Sequence, residues 1–139
     1  MIAAGQIDLP DVRADVEAAF QEYEQALVSN DLETLDRLFW PSPLAVRFGA
    51  GENLYGIDAI RAFRAARDTG ALQRRLHETR ITSYGSDVAT TSTEFVRADQ
   101  VRGRQTQTWV RFAKGWRIVA AHISLVGRAD AATTPDLEP

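Results

Sequence analysis

The stretch GWRIVAAHISLV, residues 115–126, decides the fold class of this chain. Side chains alternate between the two sides of a β-strand, and here both sides are largely apolar. One side carries Trp116, Ile118, Ala120, His122, Ser124 and Val126, and the other carries Val119, Ala121, Ile123 and Leu125. A strand with one wet face shows polar residues at every second position instead. We therefore expect one side to pack on helices and the other on a partner, most simply a second copy of the chain.

Strand character extends through the whole second half of the chain. Segments 74–83, 87–97, 102–113 and 116–126 are rich in β-branched and aromatic residues, and the connections between them are short enough for hairpins. This spacing predicts a meander of four antiparallel strands.

The first half has helical periodicity. Within residues 10–28, an apolar residue recurs every three or four positions, which places one stripe on a single helix face. The stripe consists of Val16, Phe20, Tyr23 and Leu27. Asp31 is the expected N-cap of a short second helix, strands are predicted at 44–48 and 52–55, and a third helix begins at Ile57. The order predicts an α+β fold in which a curved antiparallel sheet wraps around the N-terminal helices and leaves a hollow between them.

Composition limits the organisation of the chain and its function class. The 139 residues contain 45% hydrophobic and 25% charged residues, a balance typical of one globular domain. We expect this domain to cover residues 1–128 and a disordered tail to cover 129–139, where large apolar residues are few. The net charge is -3, and no basic run is present, which argues against nucleic acid as a partner.

No apolar run approaches the length of a membrane span, and the first residues lack the pattern of a secretory signal. Membrane association is therefore not expected, and a cytoplasmic location is the default. The absence of cysteine removes thiolate chemistry and Cys-based metal sites. His77 and His122 are the two histidines and form no metal-binding motif, so we expect no metal, although a carboxylate site stays open.

Two residues within apolar patterns are candidates for chemistry. Arg47 interrupts the strand LAVRF, residues 44–48, and is either an exposed edge arginine or an inward guanidinium that binds a carboxylate. Tyr23 is either a core aromatic residue or a phenol that projects into the hollow as a hydrogen-bond donor or general acid. The pattern alone leaves both alternatives open.

Other polar residues have structural alternatives of equal simplicity. His122 lies among apolar residues and is either a hydrogen-bonded structural residue or a ligand. Gln105 and Gln107 share a strand face that is either wet or lines a polar pocket. The arginines of the third helix and its exit form a solvated face or draw anions towards a pocket. They are Arg61, Arg64, Arg67, Arg74 and Arg75.

Three stretches together carry a family resemblance. RFGAGENLYGIDAIRAFRAAR at 47–67, GRQTQTWVRF at 103–112 and GWRIVAAHISLV at 115–126 closely resemble the AtzH-like proteins, which include the HpxZ-type proteins of oxalurate catabolism. The similarity covers roughly residues 9–128. It implies an NTF2-like, cystatin-related cone that is dimeric through its sheet, in agreement with the two apolar faces of the last strand.

The resemblance also implies a reaction, the removal of carbon dioxide from 1,3-dicarboxyurea to give allophanate in cyanuric acid breakdown. The tyrosine of the first helix and the arginine of the first strand, implicated in that family, correspond to Tyr23 and Arg47. The small substrate is a dianion, so a second donor is needed, for which Gln107, His122 and Arg64 are the candidates. The scheme needs no metal or organic cofactor.

Two alternatives remain beside this reaction. The chain could be a non-catalytic partner of an amidase, or a carrier of its intermediate, in oxalurate, purine or s-triazine breakdown. It could also carry out another small-molecule reaction in the same cone, because NTF2-like folds host several activities.

Overall fold

A computed structural model describes residues 1–129. A 3₁₀ turn at Ala4–Gln6 precedes three helices and six strands. The helices are α1 (Pro10–Val28), α2 (Leu32–Leu38) and α3 (Ile57–Ala66), and the strands are β1 (Val46–Phe48), β2 (Asn53–Tyr55), β3 (Arg74–Tyr84), β4 (Val88–Arg97), β5 (Val101–Phe112) and β6 (Gly115–Arg128). The predicted elements are confirmed, with boundaries that differ by a few residues.

The predicted tail falls almost wholly outside the described residues. Its first residue, Ala129, is buried, and its backbone N–H donates to the carbonyl of Gln100 over 2.6 Å. The chain is therefore fixed one residue further than expected, and the prediction for 130–139 lies beyond the part of the chain that the structure describes.

The helices start where the sequence places their caps. Pro10 occupies the first turn of α1, where its missing N–H costs no helical hydrogen bond. The Asp31 side chain accepts from the backbone N–H of Thr34 over 3.2 Å and caps α2 as predicted. In the described residues, no helix is both long and apolar enough to cross a membrane.

The six strands form one sheet in the order β2-β1-β6-β5-β4-β3. All neighbouring pairs are antiparallel except β1 and β6, which run parallel. The sheet is therefore mixed at this single junction, in contrast to the antiparallel sheet predicted. The junction places Arg47 beside Ala121, one strand in from the β2 edge of the sheet.

A β-bulge in β6 corrects the predicted alternation of the last strand. Trp109 pairs with Ile118, and the preceding Thr108 pairs with Ala120, so Val119 has no partner on β5. One extra residue reverses the side on which the following residues point, up to a second register shift at Val126. Ala121, Ile123 and Leu125 consequently share the concave side with Trp116 and Ile118, whereas Ala120, His122 and Ser124 lie on the convex side. The two faces are therefore less alike than the unbroken alternation suggested.

The concave side of the sheet packs against the helices and forms the core. The stripe of α1 is buried as predicted, with Val16, Phe20, Tyr23 and Leu27 all at most 7% exposed. Trp109 of β5 and Ile118 of β6 are fully buried beneath them. The helices thus close one end of the cone and leave a cavity at the other.

Gly103 marks a close approach that holds this open end together. A Cβ atom at this position would lie 2.1 Å from Cζ of Phe95 on the neighbouring strand β4. We expect Gly103→Ala to displace the Phe95 ring and to lower the free energy of unfolding by roughly 1–3 kcal/mol, measured by urea denaturation. Gly5→Ala is the matched control, since its Cβ would meet nothing within 4 Å; equal stability of the two variants would contradict the argument.

Candidate functional site

A cavity of about 360 Å³ occupies the open end of the cone. Its walls come from α1, β1, the end of α3 and the concave side of the long strands. Tyr23 and Arg47, the two residues that the sequence singled out, both line it. We refer to this space as the cone cavity.

Arg47 points inward from β1 and is 7% exposed. The alternative of an exposed edge arginine is therefore wrong. Its Nη1 donates to Oε2 of Glu52 over 3.1 Å, and its Cζ lies 5.3 Å from the ring centre of Phe63 on α3. The Nε–H of Arg47 is buried and finds no acceptor within residues 1–129. One edge of the guanidinium thus carries a free donor.

Tyr23 is 1% exposed, and its hydroxyl oxygen accepts from Nη2 of Arg64 over 3.0 Å. Arg64 is equally buried and lies between two aromatic rings, with its Cζ 4.9 Å from the centre of Phe39 and 5.5 Å from that of Tyr23. Arg64 makes no ion pair with a carboxylate among the described residues. Its buried charge is stabilised by two aromatic faces and the phenol oxygen.

The surroundings of Tyr23 favour its ionised form. Burial raises the pKa of the phenol, but attraction to Arg64, Arg47 and Arg74 outweighs burial, and the pKa of Tyr23 lies below its ordinary value of 10.0. A phenol with a lowered pKa releases its proton more readily. The arrangement can therefore donate a proton to a bound molecule and stabilise the resulting phenolate.

Two further arginines of the cavity wall, Arg74 and Arg97, are paired with acids. Arg74 binds the Glu24 carboxylate through two contacts of 2.6 Å and also donates to Oε1 of Gln105 over 3.1 Å. Arg97 forms a similar two-contact pair with Asp99 at 3.2 and 2.9 Å. These pairs fix the wall geometry and neutralise its charge locally.

None of the three predicted substrate-binding residues lines the cone cavity. Gln107 is buried below it, where Oε1 accepts from Thr91 Oγ1 over 2.9 Å and from Trp109 Nε1 over 3.2 Å. This network orients the strand wall and keeps Gln107 away from a ligand. Arg64, the third candidate, touches the cavity indirectly through Tyr23.

His122 is exposed on the convex side of the sheet, against the ring of Phe48 at 5.8 Å between ring centres. The expectation that it faces the hollow is wrong, because the bulge at Val119 turns the later residues of β6 over. The same bulge brings Ile123 and Leu125 into the cavity wall instead.

Arg67 is a cavity residue that the sequence argument treated only as part of a cationic face. It lines the cone cavity, and its Nε and Nη2 atoms are buried without an acceptor within residues 1–129. Burial, and then repulsion from Arg64, lower the pKa of Arg67. The signal was its distance from Phe63, an apolar residue four positions earlier, although the helix itself ends at Ala66 and Arg67 has extended backbone.

The described residues hold no group of three or more His, Asp or Glu side chains suited to a metal ion. The expectation of a metal-free, cofactor-free protein stays a prediction.

Comparison with known structures first defines the class. The chain has the NTF2-like, cystatin-like fold, since an NTF2-like putative dehydratase from Streptomyces avermitilis superposes with a TM-score of 0.71 at 20% identity, over 84% of this chain and 98% of that one. This likeness concerns the fold alone.

The family follows from closer matches. The AtzH-like family model matches residues 5–129, and the chain belongs to this family. A protein of unknown function from Pectobacterium atrosepticum is 54% identical with a TM-score of 0.89, over 91% of this chain and all of that one. A cystatin-like fold protein from Burkholderia xenovorans is 48% identical with a TM-score of 0.84, over 88% and 98% of the two chains. No curated protein matches the chain.

The lowered pKa of Tyr23 is directly measurable. In an ultraviolet titration, the difference between the wild type and Tyr23→Phe isolates this phenol, and we expect its ionisation at a lower pH than that of free tyrosine. Arg47→Gln removes one positive neighbour, so the pKa should rise in that variant. A difference titration at or above the pH of free tyrosine would contradict this electrostatic description.

Proposed function

We propose that this protein is a small cofactor-independent decarboxylase of cyanuric acid or ureide catabolism that converts 1,3-dicarboxyurea into allophanate. Arg47 holds the substrate and Tyr23 donates the proton. The observation that carries the proposal is that both residues, singled out by the family resemblance, line one cavity and are almost fully buried in its wall. Membership of the AtzH-like family supports it further.

The reaction needs one proton and no redox partner. The bond between the departing carboxylate carbon and its nitrogen breaks, its electron pair stays on nitrogen, and carbon dioxide leaves. Nitrogen takes the proton of Tyr23, so the dianion becomes the allophanate monoanion. Water then returns a proton to the phenolate. The enzyme therefore has to position the substrate and supply the proton as the bond breaks.

The position of Arg47 on the substrate follows from the charge change. A guanidinium bound to the departing carboxylate would stabilise the ground state more than the charge-dispersed transition state. Arg47 acts better on the carboxylate that is retained, or on the urea carbonyl, where negative charge builds up. Its Nε–H has no acceptor within residues 1–129 and would serve either group once the guanidinium turns towards the ligand.

The environment of Tyr23 matches the role of a proton donor. Arg64 donates to the phenol oxygen, so the hydroxyl hydrogen is free to point elsewhere. The positive neighbours that lower the pKa of Tyr23 also stabilise the phenolate left after proton transfer. Arg64 is thus a positioning residue for Tyr23.

Turnover of authentic 1,3-dicarboxyurea, followed by release of carbon dioxide, tests the two roles. We expect Arg47→Ala to abolish turnover without unfolding the protein. Tyr23→Phe should retain binding but lower kcat by about a hundred- to ten-thousandfold, the usual contribution of a general acid. Tyr84→Phe is the control, because the Tyr84 hydroxyl lies 3.2 Å from Thr90 Oγ1 and Tyr84 does not line the cavity. Wild-type kinetics in both site variants would refute the mechanism.

The pH dependence of kcat provides an independent check. A proton donor works only while protonated, so the rate should fall as the pH rises through the lowered pKa of Tyr23. This alkaline limb should lie below the pH at which free tyrosine ionises, and it should be missing from the residual activity of Tyr23→Phe. The same limb in both proteins would assign the titration to another group.

We also propose that the convex side of the sheet is the homodimer interface. Tyr55 is 66% exposed there, and the Phe48 ring packs edge to face against both Tyr55 and His122. Aromatic and other apolar groups that are this exposed favour a surface that a second protein chain covers.

Light scattering of the isolated chain, with and without a candidate amidase, separates a homodimer from the alternative of a mixed complex. A stable mixed complex without activity of the isolated chain would favour the amidase-partner reading over the decarboxylase.

A further inference from the structure

The cone cavity contains more positive than negative charge. Three of its arginines are neutralised by neighbouring acids, in the pairs Arg47–Glu52, Arg74–Glu24 and Arg97–Asp99. Arg64 and Arg67 have no such partner within residues 1–129. The remaining acid of the wall, Asp68, is exposed and accepts from the backbone N–H of Gly70 over 2.9 Å. An anionic ligand would balance this excess.

Arg64 and Arg67 differ in what they can reach. Arg64 lies behind Tyr23 and is enclosed by aromatic rings, so its charge acts through the phenol. Arg67 follows the last turn of α3 and lines the cavity itself. Its Nε and Nη2 lack acceptors within residues 1–129 and are closed to solvent as the side chain stands. A turn of the guanidinium towards the cavity would offer this pair of donors to the two oxygens of a carboxylate. Arg67 is therefore the unpaired cation of the cavity wall.

We propose that Arg67 binds the carboxylate that the substrate retains and so makes the cavity specific for small dicarboxylates. This inference rests on the proposed function for the reaction, but its charge argument is independent of it. Tyr23, Arg47 and Arg67 all line the cone cavity, so one small ligand can contact the three groups.

The assignment decides between the two placements of Arg47. With the retained carboxylate on Arg67, Arg47 faces the urea carbonyl, where charge builds up in the transition state. The departing carboxylate is then free of a tight guanidinium contact, as the reaction requires.

The same assignment predicts that the enzyme discriminates its substrate, 1,3-dicarboxyurea, from its product, allophanate. Allophanate is itself an N-carboxyurea, but it carries one carboxylate where the substrate carries two. It has no group to place on Arg67 once its own carboxylate occupies the departing position. The enzyme should therefore stop after one decarboxylation and leave allophanate intact.

Binding of glutarate tests the anchor without turnover, because glutarate has the same five-atom chain between and including its carboxylate carbons as 1,3-dicarboxyurea. In calorimetric titrations, we expect Arg67→Gln to raise the Kd for glutarate by about ten- to a hundredfold, the usual worth of a charge-assisted hydrogen bond. Arg67→Lys keeps the charge but not the paired donors and should lose less. Arg61→Gln is the control, since Arg61 is exposed on the same helix and does not line the cavity.

Kinetics on 1,3-dicarboxyurea complete the test. Arg67→Gln should raise KM with little change in kcat, since the retained carboxylate is bound alike in ground and transition states. Unchanged Kd and KM in this variant, or equal losses in Arg61→Gln, would overturn the role of Arg67 even if the wild type is a decarboxylase. Glutarate binding that depends on Arg67, without any turnover, would instead refute the proposed reaction and leave the dicarboxylate site standing.

Discussion

A buried guanidinium without a carboxylate partner is the constraint on which the site depends. Arg64 is 1% exposed and is held by the Tyr23 hydroxyl and the faces of two aromatic rings. An isolated buried charge is costly, so the surrounding groups have to share it. That sharing couples α1 to α3, lowers the pKa of the phenol and leaves the cavity positive. The contact between Arg64 and Tyr23 therefore both holds the two helices together and sets the acidity of the phenol.

The sequence predicted the architecture well because helical and strand periodicities differ clearly along this chain. It also singled out Tyr23 and Arg47, through the family resemblance and because each is a polar group inside an apolar pattern. Their neighbours were harder to predict. Whether Arg64 or Arg67 is buried depends on which helix face meets the sheet, and the arginine spacing of α3 alone does not show this.

The errors on β6 have one physical origin. Alternation predicts the side on which a residue points only while the register is unbroken, and the bulge at Val119 shifts it by one residue. Because of this shift, His122 lies on the convex side and Ile123 lies in the cavity wall, the opposite of the predicted arrangement. Gln107 was misjudged for another reason, because its partners Thr91 and Trp109 hold it below the cavity. This network joins side chains of β4 and β5, and the alternation along a single strand does not show which side chains of neighbouring strands meet.

The Glu52 contact has a consequence for what can compete for the site. Because Glu52 lies 3.1 Å from Arg47 on the same polypeptide, the guanidinium carries its own counter-ion at a high local concentration. Chloride and other weakly held inorganic ions must displace that tethered carboxylate before they reach Arg47, and they gain little by doing so. A rigid molecule that binds Arg67 through a carboxylate while another of its groups meets Arg47 gains a second contact and meets a lower threshold. The internal acid thus selects against small anions that can contact Arg47 alone.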